Sequence, residues 1–250
     1  MDAVGMLDGT GTDESMWADC AWLWQRPTTP APQLLGDARR LVVVAPHPDD
    51  EVLACAGLMR MAADAGVAVQ VVAVTDGEAC YPMDPWWTPD RLRTQRRQEL
   101  REALAVLGLA RPGVMHLAID DGGVTAAEDA VRSALRAVVR HDDLVLAPWR
   151  QDGHPDHEAS FRAAQDAVRN ASARLLEYPV WGWHWLDPGV VRRAWPNPRL
   201  LDVRDHAAMK QAAIACFRTQ TGAVEQLSSA PILPAHVLAR FGRSHEVFLA

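Results

Sequence analysis

The chain has 250 residues, 49% of them hydrophobic and 23% charged, with a formal net charge of −7. That is long enough for one large domain with a sizeable core, and the acidity, with Lys210 the only lysine and the arginines scattered, argues against a nucleic-acid partner, which requires clustered cations. No apolar run of about 18 residues is present to span a membrane.

The start, Met1-Asp2-Ala3-Val4-Gly5, lacks the basic and apolar regions of a signal peptide. Cys20, Cys55, Cys80 and Cys216 share no CxxC spacing and read as free thiols of a cytoplasmic protein. Residues 1–32 read as an N-terminal extension, and residues 33–250 as a single domain. The extension carries Trp17, Trp22 and Trp24 ahead of a Pro-rich connector at 27–32. These indoles are expected to fold back on the domain or to meet a second subunit.

Strand-like and helix-like segments then alternate. The unbroken apolar run Leu41–Ala45 predicts a strand buried on both faces. A helix over Glu51–Ala65 ends before Gly66, and Val67–Thr75 is a second strand. Residues 76–89 form a loop, and Pro89-Asp90 opens a helix over Arg91–Leu107 that Gly108 stops. Val114–Ile119 is a third strand. Thr125 and Glu128 have the spacing of a capping box for a helix reaching about Arg140. Asp143–Ala147 is a fourth strand, His154–Ala171 a loop and helix, and Arg174–Tyr178 a fifth strand. The last third predicts an aromatic loop at Trp181–Trp185, strands at Leu200–Val203 and Val247–Leu249, and a helix over Asp205–Thr219. The alternation predicts an α/β, Rossmann-like, mostly parallel sheet with helices on both faces.

Each of the first four strands is followed by a polar loop: His47–Asp50, Asp76–Glu78, Asp120-Asp121 and Trp149–His157. In open α/β sheets, ligands bind outside the carboxyl ends of the strands. These loops therefore predict one site built from residues more than a hundred positions apart. Zn²⁺ takes imidazole nitrogen and carboxylate oxygen, and a catalytic site keeps three protein ligands. His47, Asp50 and one of His154 and His157 meet that need. Asp49 remains to take a proton from water, the other histidine to serve an oxyanion or a leaving amine, and Asp156 to support an imidazole. Trp86-Trp87, Trp149 and Trp181–Trp185 are candidates to line a pocket, with Tyr81 and His184 near its mouth. The remaining histidines have no partner motif.

Ala45-Pro46-His47-Pro48-Asp49-Asp50-Glu51 followed by His154-Pro155-Asp156-His157 resembles the PIG-L/LmbE family of zinc-dependent N-deacetylases, from about Arg40 to the C-terminus. Arg96-x-x-Glu99-x-x-x-Ala103-x-x-x-Leu107-Gly108, Asp121-Gly122 and Glu246-Val247-Phe248 are further matches. The resemblance implies His47, Asp50 and His157 as ligands of Zn²⁺ or another divalent metal, and Asp49 as the general base. His154 is implied as the electrophilic or acid partner, with Asp156 supporting it. Arg96 and Asp121 are the implied sugar contacts, and the position of Trp149 beside the site adds it to them. Pro46 departs from the small residue usual before the first histidine and should stiffen the loop. The implied activity is removal of an acetyl group from an N-acetylglucosamine-type conjugate, in bacterial secondary metabolism or thiol-cofactor biosynthesis. The substrate partner is a small amino-sugar conjugate, and a homo-oligomer is left open by the Trp stretches.

An amidase for another natural product is the near alternative. A non-haem Fe(II) oxygenase also uses two histidines and a carboxylate, but those enzymes sit mostly on β-sandwich-like folds. A non-catalytic sugar-binding protein would have no need of Asp49. A dinucleotide-binding dehydrogenase lacks its fingerprint, because His47–Glu51 stands where G-x-G-x-x-G should follow the first strand.

Overall fold

Side chains that alternate along Leu41–Ala45 find apolar partners on both sides. Leu41, Val43 and Ala45 join one buried cluster, and Val42 and Val44 the other. The computed structural model describes residues 9–109 and 113–250. Met1–Asp8, which bear on the reading of the N-terminus, lie outside them. In chain order the elements are α1 (Glu14–Ala18), α2 (Ala21–Trp24), α3 (Ala31–Leu35), β1 (Arg40–Ala45), α4 (Asp50–Asp64), β2 (Ala68–Thr75) and α5 (Pro89–Val106). They continue with β3 (Gly113–Ile119), α6 (Glu128–Val138), β4 (Asp143–Pro148), α7 (Pro155–Ala171), β5 (Arg174–Tyr178), α8 (Gly182–Trp185) and α9 (Val191–Ala194). The last are β6 (Pro198–Asp202), α10 (Ala207–Ile214), α11 (Arg218–Thr221), α12 (Ala235–Leu238) and β7 (His245–Leu249).

The seven strands form one sheet in the order β3-β2-β1-β4-β5-β7-β6. β1 to β5 pair in parallel, and β7 runs antiparallel between β5 and β6. The order reverses between β1 and β4, so a crevice opens at their carboxyl ends, where such sheets bind ligands. On one face α6 and α7 bury Val131, Leu135, Ala163 and Ala167 against Val42, Val44 and Val145. On the other, α4, α5 and α10 bury Leu58, Leu100, Leu104 and Ile214 in the larger cluster. No described helix is long and apolar enough to cross a membrane.

Helix α4 is seated closely. Gly57 and Leu58 donate their backbone N–H groups to the Glu246 carboxylate at 2.7 and 3.0 Å, and Lys210 Nζ donates to it at 2.9 Å. A Cβ at Gly57 would lie 2.3 Å from Val203 Cγ1, so no side chain fits there. The segment that carries α1 packs onto the same body. Trp17 is fully buried, stacks on Trp195 at 5.6 Å, meets Trp183 edge-on at 4.8 Å and donates Nε1–H to the Trp183 carbonyl at 2.9 Å. Arg243 lies over Trp183 at 4.1 Å and pairs with Glu14.

Two local expectations are corrected. The capping box at Thr125 and Glu128 does not form: α6 begins at Glu128 after the uncapped Ala127. Glu128 instead pairs with Arg132 and Arg162, which reward its carboxylate more than a backbone N–H would. The expected helix over Asp205–Thr219 is broken after Ile214. Phe217 turns inward and is fully buried, and Thr219 bonds to Glu99 through its N–H and its hydroxyl. Burial and two bonds to a buried carboxylate outweigh helical continuity.

Candidate metal centre

Asp49 caps α4 with φ 146° and ψ −32°, a backbone region costly for any residue but glycine and one that concentrates at functional sites. The turn is held by Asp50 Oδ2 accepting from His47 N at 2.9 Å and by Glu51 Oε2 accepting from Asp49 N at 3.2 Å. It aims His47 and Asp50 across the switch point at His157, which rises from the first turn of α7. His47 Nδ1, Asp50 Oδ2 and His157 Nε2 then lie 3.3 to 3.5 Å from one another. Tetrahedral coordination at about 2.0–2.1 Å sets neighbouring donors about 3.3 Å apart, so these three atoms fit three corners of such a site. A second grouping, His47, His154 and Asp156, lies within the looser span of 4.8 Å.

Both imidazoles of the tighter set are oriented by carboxylates, as metal-binding histidines are. His47 Nε2 faces Asp121 Oδ1 at 3.1 Å and Asp156 Oδ2 at 3.4 Å. His157 Nδ1 pairs with Asp152 Oδ2 at 2.8 Å, and Asp152 is fully buried. The sequence reading did not single out Asp152. Its signal is position: it lies in the β4–α7 loop five residues before His157, and a ligating histidine needs such a partner.

The electrostatics suit a cation. Burial alone would make His47 harder to protonate, yet bonds to Asp121, Asp156 and Asp50 outweigh it and hold the ring well above its ordinary pKa. Asp50 and Asp121 are in turn lowered despite burial, the first chiefly by His157 and His47 and the second by His47. Asp49 is raised, because burial outweighs the attraction of Arg96. His154 is lowered by burial and by the neighbouring His47 and His157. The site thus concentrates negative charge around His47, keeps a carboxylate able to hold a proton at Asp49, and keeps His154 neutral.

The structure brings His47, Asp49, Asp50, Arg96, Asp121 and His154 to the wall of one cavity of about 350 Å³. Arg96 is buried and committed: it donates to Asp49 Oδ2 at 3.0 Å, Pro48 O at 2.7 Å and Gly77 O at 2.9 Å. Asp156, expected to support His154 with its side chain, turns that carboxylate to His47 and to the N–H groups of Gly122 and Val124 at 2.8 and 3.2 Å. It meets His154 through its backbone, whose N–H bonds His154 Nδ1 at 3.2 Å. Trp149 is not brought to the cavity. Its ring is buried, stacked on Trp185 at 5.7 Å and edge-on to Trp195, because Gly182 and the Asp152 turn cover it. Of the other tryptophans, Trp181 lines the cavity and lies near-parallel to His154 at 6.3 Å. Trp86 is exposed beneath Arg91. Tyr81 bonds to the Thr219 carbonyl at 2.7 Å, and His184 is buried against Arg240. Cys80, Gln220, Ile232 and Leu233 also line the wall and escaped the sequence reading.

Comparison with known proteins places the chain among relatives. The deacetylase named for 1D-myo-inositol 2-acetamido-2-deoxy-alpha-D-glucopyranoside in Rhodococcus opacus (strain B4) is 34% identical over 59% of this chain and 58% of its own length. The protein of the same name in Nocardia farcinica is 28% identical over 83% of this chain and 95% of its own. The chain spans about three-fifths of the length of the first curated relatives it matches, 58%, 60% and 58%. A conserved protein of Thermus thermophilus superposes with a TM-score of 0.59 and 28% identity, covering 84% of this chain and 93% of that one. The zinc-inhibited teicoplanin deacetylase Orf2 shares the fold, with a TM-score of 0.62 and 18% identity over 84% of this chain and 97% of its own. Residues 42–168, half of the chain, match the family described as PIG-L, GlcNAc-PI de-N-acetylase, and the chain belongs to that family.

Proposed function

We propose that this protein is a metal-dependent hydrolase that removes the acetyl group from an N-acetylglucosamine-type conjugate, with zinc as the metal. The observation that carries the reading is the triangle of His47, Asp50 and His157 donor atoms at 3.3 to 3.5 Å with the strained Asp49 beside it. Relatives named as amino-sugar deacetylases support the substrate class.

His47, Asp50 and His157 would hold the metal, which when bound supplies Lewis-acid polarisation of an amide carbonyl and acidification of water toward pKa ~7. Asp49 takes the proton from the attacking water. Its raised pKa matches that role, since a general base works best near the operating pH. Arg96 fixes one Asp49 oxygen and leaves the other for the proton. His154 accepts the Asp156 N–H at Nδ1, so its proton sits on Nε2, ready to donate to the oxygen that gains charge as the carbonyl is attacked. Asp49 then returns the proton to the departing nitrogen as the C–N bond breaks. Acetic acid and the amine result, and the acid's proton passes to the amine, so that acetate and the ammonium product leave.

The test is acetate release from 1D-myo-inositol 2-acetamido-2-deoxy-α-D-glucopyranoside and from N-acetyl-D-glucosamine, with and without chelator. Chelation should abolish release and added Zn²⁺ should restore it. Asp49→Ala should lower kcat by about 10²–10⁴-fold while metal content, measured by atomic emission, stays at the parent level. Undiminished turnover in that variant, or in the chelated protein, would overturn the mechanism.

A further inference from the structure

Most of the cavity wall comes from the stretch that matches the family, but Gln220 does not. It stands on α11, just past the break that buries Phe217, and its orientation can be worked out from the hydrogen bonds around it. Glu99 is fully buried and acceptor-only when ionised. It accepts from Gln95 Nε2 at 3.1 Å, Thr219 N at 3.0 Å and Thr219 Oγ1 at 2.7 Å. The Thr219 hydroxyl proton is thereby spent on Glu99, so toward Gln220 that oxygen can only accept. The Gln220 atom 3.1 Å from Thr219 Oγ1 must therefore be the amide nitrogen, whose N–H groups serve Thr219 and Cys80 Sγ, the latter at 3.5 Å. This removes the usual ambiguity between the two ends of a glutamine amide. The carbonyl oxygen Oε1 carries no hydrogen bond among the described residues, although Gln220 is only 1% exposed and lines the cavity.

We propose that Gln220 is a specificity-determining residue, its Oε1 accepting a hydrogen bond from one hydroxyl of the sugar held in the cavity. The proposal rests on the hydrolase reading above for the identity of the sugar. A buried acceptor committed to a ligand donor discriminates strongly, because a ligand lacking that donor leaves the acceptor unpaired. The rival role, a strut between Cys80 and Thr219, would hold the loop after β2 against α11 and treat all sugars alike.

The experiment compares the zinc-loaded wild type with Gln220→Met, near-isosteric and with only a weakly accepting thioether in place of the amide oxygen. Both would be given 1D-myo-inositol 2-acetamido-2-deoxy-α-D-glucopyranoside and a set of analogues, each lacking one hydroxyl of the amino sugar. Kd by calorimetry and kcat and KM by acetate release would be measured. For the parent compound, KM and Kd should rise about tenfold in Gln220→Met, with kcat changed less than about twofold. One deoxy analogue should show no difference between the two proteins, which a strut would not produce. Equal weakening of every compound, or of none, overturns the proposal. If Gln220→Met does not fold, Gln220→Glu retains an acceptor oxygen, and it should still distinguish the parent from that one analogue; loss of the distinction counts against the proposal. Binding without acetate release by wild type, with the discrimination intact, rejects the deacetylase reading and leaves Gln220 in its role. A wild type that neither binds nor cleaves the compounds rejects both.

Discussion

Asp152 accepts from His157 Nδ1 and from the N–H groups of Val180, Trp181 and Gly182 at 2.8 to 3.0 Å. One buried carboxylate thus orients an imidazole of the candidate metal centre and also pins the turn that carries Trp181 to the cavity. Removing it leaves the ring free to rotate and three N–H groups unpaired. We expect Asp152→Ala to weaken zinc affinity by about 10–100-fold, read by competition with a chelating dye, and to destabilise the fold by roughly 1–3 kcal/mol. Unchanged zinc affinity would mean that Asp152 does not orient His157. The contrast with His47 and Asp50 shows what a sequence discloses. Those two are announced by their place after an apolar strand and by a second His/Asp cluster. Asp152 looks like any loop aspartate until the chain bends back and the imidazole is seen to need a partner. Gln220 is less legible still, because nothing local marks it and its place depends on a broken helix.

At the scale of elements, Asp76 ties the end of β2 to α5 and β3. It accepts from Arg97 at 2.8 and 2.5 Å and pairs with His116 Nδ1 at 3.1 Å. Burial acts to raise its pKa, but the bonds to His116 and Arg97 outweigh burial and bring it to about 2, from an ordinary 3.8. A carboxylate whose folded pKa lies below its unfolded one stabilises the fold above the unfolded value, and that contribution fades as pH falls toward the folded value. The stability gap between the parent and Asp76→Asn, measured by urea denaturation in chelator, should be full near pH 5, shrink below about pH 4 and close toward pH 2. A gap that widens on acidification would show that another group governs. Strands β1 and β4 were legible because burial on both faces leaves unbroken apolar runs. The capping box at Thr125 and the helix across Phe217 were misread for one reason: local preference was beaten by distant partners, Arg162 in the first case and Glu99 in the second.

Across the whole molecule, the segment that carries α1 and α2 packs into the body that holds the site. Trp17 meets Trp183 and Trp195, Trp183 belongs to α8, and Trp185 of α8 donates Nε1–H to the Asp152 carbonyl at 2.8 Å. A chain of buried and half-buried contacts therefore runs from α1 to the residue that orients His157. Composition could raise the aromatic patch as a question but could not place it, since the partners of Trp17 lie more than 160 positions away. We expect Trp17→Ala to cost about 3–5 kcal/mol, the range for truncating a buried aromatic side chain, plus the loss of an indole hydrogen bond. Because the truncated indole belongs to the same buried cluster as Leu58 and Leu100, the loss should lower one cooperative transition followed both by tryptophan fluorescence and by far-ultraviolet circular dichroism. Two separated transitions, with the sheet signal unmoved, would show instead that the N-terminal residues melt as a unit of their own. Zinc affinity offers the finer reading. If α8 is held in place by Trp17, the variant should bind zinc more weakly even at temperatures where it is fully folded, whereas parent-like affinity would confine Trp17 to stability alone.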